Sequence, residues 1–73
     1  MIRIITLNVD DKVIDWYFES KEEIEKEWWN EECSLPSNDD PVIYVQIDDE
    51  RIHIPNDMIF LNFLEMIGID TSI

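Results

Sequence analysis

Carboxylates are the chemistry this chain holds in quantity: 18 of its 73 residues are Asp or Glu, against five Lys or Arg. They can serve as an acid–base pair, as oxygen ligands for a hard cation, or as fixed negative charge. Acid–base catalysis needs two groups whose surroundings split their proton affinities inside a pocket, and 73 residues leave little room for one. Other catalytic side chains occur singly. His53 is the one histidine, in an alternating strand on its outer side. Cys33 is the one thiol, and it follows six glutamates whose field disfavours a thiolate. There is no phosphate-cradling glycine loop, no Cys-x-x-Cys and no His-Glu-x-x-His. The expectation is a non-enzyme without a cofactor.

As cation ligands, Asp39-Asp40 and Asp48-Asp49-Glu50 are of the right type for Ca²⁺ or Mg²⁺. Neither has the Asp-x-Asp-x-Asp-Gly spacing of a calcium loop, and adjacent side chains in a strand diverge. Loose divalent association is expected and a specific metal site is not. Fixed charge remains. The formal net charge of −13 lies well beyond the magnitude of about 2 to 8 that keeps a small domain soluble. The self-repulsion it brings costs stability, which points to a use for it elsewhere.

The elements that must position these groups are legible. In "RIITLNVDDKVIDWYFES", Ile5, Leu7 and Val9 alternate with polar positions, as do Ile14, Trp16 and Phe18. A tight turn at Asp11-Lys12 sets Val9 opposite Ile14, Leu7 opposite Trp16 and Ile5 opposite Phe18, all six on one face. "VIYVQIDDERIHIP" repeats the plan. A turn at Asp49-Glu50 sets Ile47 against Ile52 and Val45 against Ile54, with Gln46 and His53 paired on the other face. A helical pattern follows each hairpin. Ser20 and Glu23 form a capping box before "KEEIEKEWWNEEC". Asn56 caps "DMIFLNFLEMI", and Gly68 stands where a left-handed terminator is wanted. "SLPSNDDP" is the linker. The expectation is one α+β domain over 1–73, a small two-layer β-β-α-β-β-α fold whose four-stranded antiparallel sheet is covered by two helices on one face.

Within "KEEIEKEWWNEE", residues 21–32, Ile24 and Trp28 share a helical face and should cover the sheet. Trp29 lies about 100° round the helix, nearer Glu22, Glu25 and Glu32, as a lid over Trp28 or an interface anchor. Only Glu22 has a well-placed lysine, Lys26. Helical residues rise about 1.5 Å each and duplex DNA carries one charge per roughly 1.7 Å of axis, so a glutamate-studded helix approaches a phosphate backbone in charge density. The last helix is apolar nearly all round, with Asn62 and Glu65 as its polar stripe. Either it is sandwiched in the fold or residues 57–67 carry a homodimer contact.

A lone cysteine excludes an internal disulfide and favours a reducing compartment. "MIRIITL" is too short for a signal peptide, and no run approaches the roughly 18 apolar residues of a membrane span. The expectation is a cytoplasmic protein, in the host cytoplasm if viral. Thirteen Ile and no Ala hint at an AT-rich bacterial or viral coding source. In composition, though in no motif, the chain resembles the small acidic inhibitors of phages and mobile elements. These mimic DNA and block defence nucleases, CRISPR effectors, repair enzymes or transcription factors. That likeness implies a basic nucleic-acid-binding protein as partner, with no direct nucleic-acid binding and no membrane. The contact residues expected are Asp10, Asp11, Asp15, Glu22, Glu25, Glu27, Glu31, Glu32, Asp48, Asp49 and Glu50, with Tyr17 and Trp29 for apolar area. The alternative is an acidic immunity protein, antitoxin or assembly adaptor that binds through the last helix.

Overall fold

The computed structural model describes residues 1–30 and 35–71. The first hairpin is β1 (Ile2–Leu7) and β2 (Val13–Phe18), followed by α1 (Lys21–Trp29). The second is β3 (Val42–Ile47) and β4 (Glu50–Ile52), followed by α2 (Phe60–Met66). All neighbours in the β2-β1-β3-β4 sheet are antiparallel. Ile2, Ile4, Phe18, Val42 and Val45 point from the sheet into one core with Ile24 of α1 and Phe60, Phe63 and Leu64 of α2. Both helices therefore cover the same face, as the alternation implied, and the other face is open. Each large side chain buried there contributes about 1.5–3 kcal/mol. No helix among the described residues is long and apolar enough to cross a membrane.

The first hairpin departs from its expected register. Ile2, Ile4 and Thr6, not Ile5, Leu7 and Val9, stand opposite Phe18, Trp16 and Ile14. The cause is the loop. Asn8 accepts at Oδ1 from the amides of Asp10 and Lys12, and its own amide donates to the Lys12 carbonyl. With Asp11 at φ 58° this makes a loop longer than two residues. It shifts the pairing by an odd number of positions, which turns β1 over. Val9 is left 91% exposed. Thr6 faces the core and accepts from the indole N–H of Trp16 at 3.0 Å, so its buried hydroxyl is satisfied.

The second hairpin turns at Asp48-Asp49, one residue earlier than expected. Val45 therefore meets Ile52, and Gln46 meets Arg51 instead of His53. The slip is an even number of positions, so the buried face is unchanged. Both turn residues have positive φ, 51° and 67°, the geometry of a type I′ turn. An irregularity opposite Ile5/Thr6 leaves Ile43 without a register partner and returns Val42 to the core side.

Ser20 caps α1 as expected. Its hydroxyl accepts from the Glu23 amide, and the Glu23 carboxylate reaches back to the Glu19 amide. The helix ends at Trp29, where the Asn30 amide donates to the Lys26 carbonyl. Trp28 is half-buried against the core, as expected, and Trp29 is 50% exposed. Asn56 does not cap α2. Met58 and Phe60 bond across to Val42 and Asp40 as a short extended bridge, which delays the helix to Phe60. Its first amides are satisfied by the Asp40 and Asn38 carbonyls in place of a side chain. Gly68 closes it at φ 85°.

Candidate partner-binding surface

The expected contact residues occupy four places. Glu22 and Glu25 are exposed on α1, with Glu27 half-buried on another side of the helix and Trp29 at its end. Asp48, Asp49 and Glu50 lie at the end of the sheet where Met1 and Glu19 also lie, since Ile2 pairs with both Phe18 and Ile47. Asp10 and Asp11 lie at the opposite end, with Asp39 near them. Strands rise about 3.3 Å per residue, so six-residue β1 sets these ends roughly 20 Å apart. Asp15 and Tyr17 are on the open face of the sheet, away from α1. Glu31, Glu32 and Cys33 lie outside the described residues.

The cations are too few to neutralise the acids. The N-terminal amine meets Asp48 at 2.8 Å, and Arg3 meets Asp15 at 2.7 Å. Among the described residues no cation stands within ion-pair distance of Asp10, Asp11, Glu22, Glu25, Asp49 or Glu50, and the expected Glu22–Lys26 pair does not form. Asp40, of the Asp39-Asp40 cluster, is turned inward, where it accepts from the Ser37 amide at 3.2 Å.

Sequence reasoning missed the open sheet face. Arg3 lies 5.5 Å from the ring centroids of both Tyr17 and Tyr44, and Arg51 lies 5.5 Å from Tyr44 on the neighbouring side. Tyr44 donates its hydroxyl to Gln46 Oε1 at 2.8 Å. The hydrogen bond from Arg3 holds the Asp15 carboxyl below its ordinary range and raises the pKa of the guanidinium. A shallow cavity of about 250 Å³ at the edge of this cluster is lined by Met1, Arg3, Tyr17, Gln46, Asp48 and Asp49. The signal was present in the sequence: Arg3 alternates with Ile2 and Ile4, and Tyr44 and Gln46 alternate with Val45 and Ile47.

Of the segment 57–67, Met58, Phe60, Phe63 and Leu64 are buried within the protomer, and Met66 is 42% exposed. The chain matches no protein-family model, and neither a curated protein nor a solved structure shows detectable similarity to it.

Proposed function

We propose that this chain is a non-enzymatic acidic inhibitor that mimics DNA. Its carboxylates stand in for phosphates and fill the nucleic-acid-binding site of a basic host protein, as phage-borne inhibitors of defence nucleases, CRISPR effectors or repair enzymes do. One observation carries the reading. Asp10, Asp11, Glu22, Glu25, Asp49 and Glu50 stand outside ion-pair distance of any described cation, while Arg3 and Arg51 stack on tyrosines of the open sheet face and Arg3 pairs there with Asp15. A fold selected for stability alone would spread its few cations among its acids, because unscreened like charges oppose compaction. The two acidic ends of the sheet lie roughly 20 Å apart, about the span of six base pairs of duplex at 3.4 Å each, and α1 adds exposed Glu22 and Glu25 on the helical layer. Trp29 adds the apolar area that charge alone lacks. Binding through the last helix has less surface to work with, since its aromatic residues are spent on the core.

Capture on the immobilised protein from a bacterial host lysate, with and without added duplex DNA, tests the proposal. A nucleic-acid-binding protein that is retained without DNA and displaced by it is the expected result. A partner held equally in both arms would overturn the proposal.

A further inference from the structure

The two edges of the sheet are guarded unequally. β4 has only three residues and the chain soon meets Pro55, and short strands and prolines are common ways to blunt an edge. β2, at the other edge, has six residues, no Pro, no Lys and an unbroken register with β1. The Leu7 amide donates toward β3, to the Pro41 carbonyl, whereas the Asn8 amide donates across the first hairpin, to Lys12. By strand alternation, even-numbered residues of β1 therefore bond to their partners Ile14, Trp16 and Phe18. Val13, Asp15 and Tyr17 are left with amides and carbonyls directed outward, and no backbone group among the described residues pairs with them. The next outward amide, that of Glu19, is closed by Glu23 Oε2 at 2.8 Å, so the free edge stops at Tyr17.

Charge selects the occupant. Asp10 and Asp11 outnumber Lys12 before this edge, Glu19, Glu22 and Glu23 outnumber Lys21 after it, and its own acid, Asp15, is already ion-paired to Arg3. A second copy paired antiparallel through β2 would lay its own Asp10 and Asp11 beside Glu19 and Glu22, a contact between like charges that costs affinity. A strand with Lys or Arg at both ends meets opposite charge at both. We propose that the free edge of β2 accepts an extended segment of the partner as a fifth strand, with a Val- or Thr-like centre and cationic ends. This rests on the reading of the partner as basic, and it adds a backbone-directed contact that a phosphate mimic alone does not require.

The test uses the full chain and a labelled peptide, Lys-Lys-Val-Thr-Val-Thr-Val-Lys-Lys. Two controls accompany it: the same peptide N-methylated at alternate amides along its pairing edge, and a version with Glu in place of every Lys. The proposal expects the first peptide to bind and to slow amide exchange at Val13, Asp15 and Tyr17 about tenfold or more, with each control about tenfold weaker or worse. Equal binding of the N-methylated peptide overturns strand pairing and shows attraction by charge alone, leaving the inhibitor reading intact. Equal binding of the Glu peptide overturns the charge selection, and absence of binding by the Lys peptide overturns the proposal outright. Slow exchange at these amides in peptide-free protein that runs as a dimer assigns the edge to a second copy and also overturns it. The inhibitor reading itself fails separately, when DNA does not displace the captured partner.

Discussion

Arg3 joins residues of the two strands that flank β1: its guanidinium lies over Tyr17 and Tyr44 and donates to both carboxylate oxygens of Asp15, at 3.0 and 2.7 Å. The bidentate geometry orients the pair, but both partners are partly exposed, so its contribution to stability is small. Its pH dependence has a definite sign. The folded-state pKa of Asp15 is depressed below 3.8, chiefly by the Arg3 hydrogen bond. The associated stability is therefore present above that value and lost as pH falls through the lower folded-state pKa. In thermal melts, Asp15→Asn should lower Tm at pH 7, and the difference from the parent should close as the pH is taken down toward 2. A gap that stayed constant across that range would mean that Asp15 acts through packing instead. A second residue-scale prediction concerns Trp16, whose indole satisfies the buried Thr6 hydroxyl. Trp16→Phe strands that hydroxyl and should cost about 1–3 kcal/mol in urea unfolding. Thr6→Val removes it and leaves only the half-buried Trp16 without its partner, so it should cost less.

At the level of elements, legibility tracked how strongly each segment distinguished its two faces. β2 has apolar residues on one face, with Asp15 and Tyr17 on the other, and Ile14, Trp16 and Phe18 do face inward. β1 is apolar on both faces, so its register depended on loop length, and the Asn8 side chain that lengthens the loop has no counterpart in the alternation pattern. Ser20 was readable as a cap because its partner is local. Asn56 misled because the amides of α2 are satisfied by carbonyls near residue 40, and sequence reading does not reveal that long-range partner. Backbone geometry supplies an element-scale prediction. Asp49 at φ 67° is strained relative to glycine, so Asp49→Gly should raise the unfolding free energy measured in urea by about 0.5–1 kcal/mol. Gly68→Ala, at φ 85°, should lower it by about 1 kcal/mol or more. The Lys21 Nζ that the new methyl would meet at 3.3 Å can swing aside, so the penalty arises in the backbone.

Across the whole molecule, the sequence revealed an excess of acid without locating it. Asp10, Asp48 and Glu22 were expected together as contact residues, but strand order and register set the turn acids at opposite ends, with the glutamates of α1 on the helical layer. The alternation of Arg3 with Ile2 and Ile4 carried the signal for the open face, but the register expected for β1 turned Ile5 and Leu7 inward and Arg3 with them. A net charge of −13 on a molecule of 11.4 Å radius of gyration should make stability rise with salt. Tm should climb as sodium chloride goes from low concentration toward about 0.5 M, as screening shortens below the molecular radius. The same screening must weaken a partner held by charge. The dissociation constant of the captured partner should therefore be measured at about 50 and 200 mM salt, for the parent and for a variant carrying Glu22→Gln, Glu25→Gln, Asp49→Asn and Glu50→Gln. The account predicts that parent affinity falls about a hundredfold or more over that range, and that the variant binds more weakly with a shallower slope. A parent affinity indifferent to salt, or a variant with unchanged affinity and slope, would contradict it.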